Sequence, residues 1–265
     1  MKEIILSAKK VQKTFANNGE QVHVLANVDL DIYKGDFTVI MGASGSGKST
    51  LLYALSGMDK ATGGQVFFCH DQKQEDIVTM KEKQLSKLRS KDFGFVFQQM
   101  HLISNLSLME NVLVTGYLDK TQSASKVKEE AVKLFDKMNL SKVSDHLPSR
   151  VSGGEQQRCA IARAVINKPA IIFADEPTGA LNRKNTTEVL DLLTGLCDEG
   201  QSIVMVTHDM KSALRGNRII YLEDGNIVGE LELTRYGQKD QNGDRIQDDR
   251  ARETQINAWL ESLSW

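Results

Sequence analysis

The stretch Gly42-Ala43-Ser44-Gly45-Ser46-Gly47-Lys48-Ser49-Thr50 decides how the rest of the chain is read. It matches the spacing G-x-x-x-x-G-K-[ST], follows the apolar run TVIM and opens the helical pattern STLLYALSGM. Glycines at these positions let the backbone curl so that successive N–H groups point inward, a concavity suited to phosphate oxygens. The N-terminus of the following helix adds partial positive charge at the same place. Lys48 is then placed to reach a β- and a γ-phosphate, and the Ser49 hydroxyl to ligate Mg²⁺. The stretch reads as a nucleotide site.

Upstream of it the chain reads as strands, EIILSAKKV, QVHVLANVDLDI and DFTVIM, separated by polar NNGE and YKGD turns. Downstream, short apolar runs (FGFVF, AIIFA, SIVMVT) alternate with helical patterns (SKVKEEAVKLFDKMNL, EQQRCAIARAVIN, TTEVLDLLTGL). That alternation predicts an α/β fold with a mostly parallel sheet covered by helices. RIIYLEDGNIVGEL reads as a hairpin turned at Asp224-Gly225. The 265 residues suffice for a large core, and 40% hydrophobic with 26% charged residues is ordinary for a globular protein. A formal net charge of −2 gives no electrostatic case for nucleic acid. Cys69, Cys159 and Cys197 form no CxxC pair and read as reduced thiols, all three expected to be small core residues. His23, His70, His101 and His146 show no metal-ligand spacing. No apolar run reaches the roughly 20 residues of a membrane helix, and MKEIILSAKK is too short in apolar character for a signal peptide.

Four further places bear on chemistry. In AIIFADEP a buried strand ends in two carboxylates, at the strand end where parallel sheets place ligands. Asp175 suits a water-mediated hold on Mg²⁺, and Glu176 suits polarising a water for attack on a γ-phosphate. Gln98 after FGFVF and His208 after SIVMV stand at similar strand ends. Finally, Val151-Ser152-Gly153-Gly154-Glu155-Gln156-Gln157-Arg158 looks like half of a phosphate grip, with a hydroxyl and two glycines opening a helix but no lysine.

The ordered set GASGSGKS, FVFQ, VSGGEQQR, FADEP and VTHD resembles the ATP-binding subunit of ABC (ATP-binding-cassette) transporters over roughly residues 3 to 232. The resemblance implies a P-loop NTPase fold with a mostly parallel core sheet, an antiparallel β subdomain and a helical subdomain carrying the signature. It implies ATP hydrolysis with Mg²⁺, and a head-to-tail homodimer enclosing two ATPs. In that arrangement Ser152, Gly153, Gly154 and Glu155 close on the ATP held by the other copy, whose own Lys48 makes a second lysine unnecessary. Gln98 resembles the glutamine that touches Mg²⁺ in a loop sensing the membrane partner, and His208 the histidine on the γ-phosphate. Phe15 stands where an aromatic stacks on adenine, although a core role for it is also open. Asn182, in TGALN, stands in the loop crossing the dimer interface, where an aspartate is usual. Val151 and Glu155 replace the commonest leucine and glutamine of the signature.

QLSKLRSKDFGFVFQ, HLISNLSLMENV and DEPTGALN are similar to the branch containing macrolide exporters, lipoprotein-release complexes and bacitracin-type peptide-resistance transporters. The resemblance implies a membrane permease as partner and a peripheral place on the cytoplasmic face of a bacterial cell membrane. It also leaves open an ATPase regulating cell-wall hydrolases through a membrane partner, or a soluble non-transport ATPase. Leu102, Ile103, Leu106 and Leu108 either line a groove for the permease or form the helical subdomain's own core. The basic run KEKQLSKLRSK is expected to be a solvated helix face. We expect a cassette over 1–234, with its helical subdomain at about 99–165, and an extension over 235–265. That extension begins with a polar stretch expected to be mobile. It ends in TQINAWLESLSW, an amphipathic helix that packs either on its own domain or on a partner.

Overall fold

The computed structural model describes residues 2–17, 20–70, 73–241, 243 and 245–263. Of the anticipated NNGE turn, Asn18 and Gly19 lie outside the described residues. The chain divides into two compact units, residues 1–80 with 197–265, and residues 81–196.

In the first unit, β1 (Ile4–Asn17) pairs antiparallel with β2 (Glu20–Tyr33) and with β4 (Gly63–His70), and β4 pairs with β5 (Lys73–Asp76). A second group of strands surrounds β3 (Phe37–Met41), which runs parallel to both β8 (Ser202–Val206) and β9 (Arg218–Glu223). Every residue of β3 and β8 is buried. Such continuous apolar runs are what a strand covered on both faces requires. Only β10 (Asn226–Glu232) is antiparallel, joined to β9 through the expected turn at Asp224-Gly225. Leaving β3, the chain passes through the glycine-rich loop into α1 (Lys48–Leu55), which buries Leu51, Leu52 and Leu55. Each of these leucines contributes about 1.5–3 kcal/mol by its removal from water.

The last helix, α8 (Asp249–Ser262), begins five residues before the quoted amphipathic run, capped by the Asp248 carboxylate on the Ala251 N–H at 2.7 Å. It buries Ile256 and Leu260, and its Trp259 ring meets Tyr221 of β9 edge-on at 6.5 Å. Gly229 of β10 makes room for it, since a Cβ there would stand 2.8 Å from Leu263 Cδ1. The helix therefore packs on its own unit, the first of the two readings. The described residues of the polar stretch before it make specific contacts with the unit. Arg235 donates to the Gly35 carbonyl at 2.9 Å, the Ile246 N–H to the Gln238 carbonyl at 2.9 Å, and the Arg215 guanidinium lies 4.2 Å from the centre of the Tyr236 ring.

The second unit contains α2 (Glu82–Lys91), β6 (Phe93–Phe97), α3 (Leu108–Gly116), α4 (Ala124–Lys137), α5 (Gly153–Val165), β7 (Ile171–Asp175) and all but the last two residues of α6 (Arg183–Asp198). β6 and β7 pair in parallel, and the rings of Phe93 and Phe95 meet Phe173 at 5.1 and 5.7 Å. Helices α3, α4 and α5 pack together around Val112, Val127, Ala131, Phe135 and Ile161. On α2 only Leu85 and Leu88 are buried, so its lysines form the solvated face read from the sequence. The four residues offered for a groove divide: Leu108 is fully buried, Leu102 and Leu106 are half-buried, and Ile103 is exposed.

Candidate active site

In the first unit, the loop between β3 and α1 is moulded by close backbone contacts. A Cβ on Gly42 would stand 2.1 Å from the Leu222 carbonyl, and Gly47, the N-cap of α1, adopts φ 98°, which side chains with a Cβ disfavour. The hairpin turn braces the loop from outside: Gly225 N–H donates to the Ser46 carbonyl at 3.1 Å, and Ala26 N–H to the Gly225 carbonyl at 3.0 Å. Lys48 is buried, and its Nζ donates to the carbonyls of Gly42 at 3.0 Å and Ala43 at 2.7 Å. The Ser46 hydroxyl is buried without a hydrogen-bond partner. No acidic residue occupies the first turn of α1, so nothing there offsets the positive end of the helix. Ala43, Ser44, Gly45, Ser49 and Thr50 complete this loop and helix start as read from the sequence.

Also in this unit, Phe15 of β1 is 41% exposed, which excludes the core reading. The Lys13 ammonium lies 4.9 Å from the centre of its ring. His208 is exposed at the end of β8, immediately after Thr207, whose N–H donates to the Ile40 carbonyl of β3 at 3.2 Å. Asp209 then caps the short helix α7 (Met210–Ala213), accepting from the Ser212 N–H at 2.8 Å.

In the second unit, the register places Phe97 opposite Asp175. Gln98 and the pair Asp175–Glu176 therefore emerge from neighbouring strand ends. Gly179 lies against Gln98, for a Cβ there would be 2.7 Å from its Nε2. The intervening residues fold on themselves, Gly179 N–H donating to the Glu176 carbonyl at 3.0 Å. Glu176 itself adopts φ 46°, a left-handed backbone uncommon for a glutamate. Asn182 caps α6, its Oδ1 accepting from the Asn185 N–H at 3.0 Å.

Ser152 is the N-cap of α5, in a capping box with Glu155. The Ser152 N–H and hydroxyl donate to Glu155 Oε2 at 2.8 and 2.7 Å, and Glu155 N–H donates to Ser152 Oγ at 3.3 Å. These bonds, the hydroxyl's foremost, hold the Glu155 carboxyl below its ordinary range. Ser152 and Gly153 are exposed, whereas Gly154 is buried against Asn185. Burial pushes the Cys159 thiol up to about 12 and Cys197 to about 11, so both are core groups as expected, whereas Cys69, also expected in the core, is only half-buried because it lies on β4 in the antiparallel sheet.

Sequence reasoning missed two residues of α5. Gln157 is fully buried and its Nε2 donates to the Phe97 carbonyl at 3.1 Å, next to Gln98. Arg163 donates to the Met100 and His101 carbonyls, both at 2.7 Å. The signal for Gln157 was available: it falls between Gly154 and Ile161 on the buried stripe, a polar residue at an apolar position.

The family model described as ABC transporter matches residues 25–179. The macrolide export ATP-binding/permease protein MacB of Pasteurella multocida is 38% identical over 234 residues, 88% of this chain and 35% of that protein. The lipoprotein-releasing system ATP-binding protein LolD of Pseudoalteromonas translucida is 39% identical over 229 residues, 86% of this chain and 97% of that protein. The chain thus spans about a third of the length of the macrolide-export relatives it matches. Among solved structures, the dimer of MJ0796, a bacterial ABC transporter cassette, is 40% identical with a TM-score of 0.78, covering 87% of this chain and all of that one. A dimeric post-hydrolysis state of the same cassette, bound to ADP and Pi, gives 39% and a TM-score of 0.78 over the same shares.

Proposed function

The chain belongs to the ABC transporter family, and on that premise we propose that it powers a membrane permease exporting or extruding a hydrophobic or peptide-like substrate, antimicrobial peptides among them. It is an ABC ATPase that binds and hydrolyses ATP. The observation carrying the catalytic reading is the Phe97–Asp175 register, which brings Gln98, Asp175 and Glu176 to one edge of the second unit.

The roles we assign follow from chemistry. Phe15 offers an exposed ring face for adenine. The loop Gly42–Thr50 encloses the phosphates. The partnerless Ser46 hydroxyl and the backbone packed tightly behind Gly42 favour that occupant. Lys48 exchanges loop carbonyls for phosphate oxygens. Each unit carries hard oxygen donors of the kind Mg²⁺ would take alongside phosphates and water: the Ser49 hydroxyl in the first, and in the second the Gln98 amide and, through a water, the Asp175 carboxylate. When bound, Mg²⁺ neutralises charge gathering on the β- and γ-oxygens. Glu176 accepts a proton from the attacking water, and His208 holds the γ-phosphate. Ser152, Gly153, Gly154 and Glu155 meet the ATP of a second copy, with Asn182 at that interface.

The permease would dock on residues 99–118, where Ile103, Val114, Tyr117 and Leu118 are exposed. No helix among the described residues is long and apolar enough to cross a membrane, which suits a peripheral place on the cytoplasmic face of a bacterial membrane. We assign residues 1–234 to the cassette and 235–265 to an extension of it. The test is Glu176→Gln in the full chain. Turnover should fall roughly 10²- to 10⁴-fold with ATP binding intact, and light scattering should show a dimer that forms only with ATP. Near-normal turnover would remove Glu176 from the mechanism, and a monomer at saturating ATP would remove the homodimer.

A further inference from the structure

The segment bearing His208 is held at its two ends by different means. At the entry, Thr207, just past β8, is fully buried beside β3, and its Oγ1 accepts from the Asp209 N–H at 3.0 Å. Beyond His208 comes α7, a single turn of four residues, too short to keep its own shape. Its start is fixed by the Asp209 cap. Its end, Leu214 to Gly216, is fixed from elsewhere in the sequence. Arg252 of α8 donates from Nε to the Leu214 carbonyl at 2.9 Å, and from Nη2 to the Gly216 carbonyl at 2.6 Å. Its third nitrogen donates to the Thr234 carbonyl at 2.8 Å.

Arg252 is fully buried, and carbonyl oxygens supply its short contacts. Burying a guanidinium is expensive unless its donors are met, and the chain just past α7 meets two directions of its fork with the carbonyls of Leu214 and Gly216. A cation at that end also opposes the partial negative charge there. Gly216 cannot retreat inward, because a Cβ on it would already be 2.6 Å from Val39 Cγ2. Asn217 continues the clamp, accepting from the Phe37 N–H at 2.6 Å.

We propose that Arg252 is a positioning residue for His208, so that the C-terminal extension sets the geometry of the γ-phosphate contact. The proposal rests on the role assigned to His208 above, and it gives α8 a part in turnover. Arg252 itself touches no substrate. It fixes the far end of α7, and α7 fixes the direction in which His208 leaves β8.

The experiment is a mutant cycle in the full chain: His208→Ala, Arg252→Gln, and both together, with kcat and KM for ATP measured for each. Arg252→Gln should lower kcat roughly tenfold or more, within the ~100-fold that a misplacement of about 1 Å produces, with KM for ATP little changed. In the His208→Ala background the same change should have no further effect on kcat. If Arg252→Gln lowers kcat by the same factor in both backgrounds, or leaves kcat unchanged in folded protein, the proposal is overturned. If His208→Ala alone turns over normally, the reading of His208 has failed, an outcome that its own arm identifies. Should Arg252→Gln not fold, Arg252→Lys retains the charge but not the fork. Hydrogen exchange in that variant should rise at 209–216 and not elsewhere in the unit. Unchanged exchange at 209–216 would also overturn the proposal.

Discussion

Gly153 offers a way to separate what the fold needs from what the chemistry needs. It is the first residue of α5, exposed, and outside the left-handed region. A Cβ there would meet only Leu181 Cδ2, at 3.7 Å, an ordinary van der Waals contact. The chain's own structure therefore has no use for a glycine at this position. Gly153→Ala restricts the unfolded chain, which stabilises by about 0.4–1 kcal/mol where the native backbone is compatible. For a chain of this size that is a rise of about 1–4 °C in Tm. If instead the Gly153 N–H must approach the phosphate of a second copy's ATP, the added methyl stands in the path. Losing a donor aimed at developing charge lowers turnover on the order of 10²- to 10³-fold. The assay pairs a thermal melt with phosphate release measured against protein concentration, since two copies make the site. Expected is a protein as stable as the parent, or more so, that hydrolyses poorly. Parental turnover would refute the phosphate-facing role, and a lower Tm would refute the structural half of the argument. Gly154→Ala is the contrast, because its Cβ would come within 2.4 Å of Asn185 Cγ and force that side chain to move.

Two further outcomes are expected. Asn182→Asp keeps the cap on α6, since Asp is as good an N-cap as Asn, so stability should hold or rise slightly; restored charge at the proposed interface should raise the Hill coefficient for ATP in hydrolysis, and an unchanged coefficient would dismiss that role. The Glu155 carboxyl, held below its ordinary value of 4.5 chiefly by the Ser152 hydroxyl and then its N–H, contributes stability that is present above pH 4.5 and lost as pH falls through its folded pKa. Melts of parent and Glu155→Gln between pH 3 and about 6 should therefore differ by a margin that changes below 4.5; a constant margin would show that the capping box does not titrate.

Most of the fold was legible where the physics is local. The runs FTVIM, SIVMV and AIIFA became fully or largely buried parallel strands, and the turn at Asp224-Gly225 fell as read. β4 and β5 were not legible, because GGQVFFCH alternates weakly and β5, KQED, carries no apolar residue; both exist by pairing across β1 and β4. α3 went unread because LMENVLVTG follows a loop of similar composition; its start is set by the Ser107–Glu110 capping box. The motif residues could be found one by one, but the meeting of Gln98 with Asp175 and Glu176 depends on strand register, which no local pattern specifies. Arg252 was readable in hindsight. It lies four residues before Ile256, on the stripe that α8 buries, so a charge there had to find carbonyls.

The backbone at Glu176 bears on how its substitution should be interpreted. Seven non-glycine residues among those described have positive φ, and three of them, Asn27, Asn139 and Asp224, are of types that adopt it readily. Glu176 is not of that kind, and such a conformation costs about 1–3 kcal/mol unless the surroundings over-determine it. Here they do: it leaves a strand buried through Ala174, Pro177 beside it is buried, and its carbonyl accepts from the Gly179 N–H at 3.0 Å. None of these constraints involves the carboxylate. Glu176→Gln keeps these backbone constraints and changes the carboxylate proposed above as the proton acceptor. A loss of turnover in that variant would report on proton transfer rather than on a collapsed loop, and a melt matching the parent is the control that establishes it.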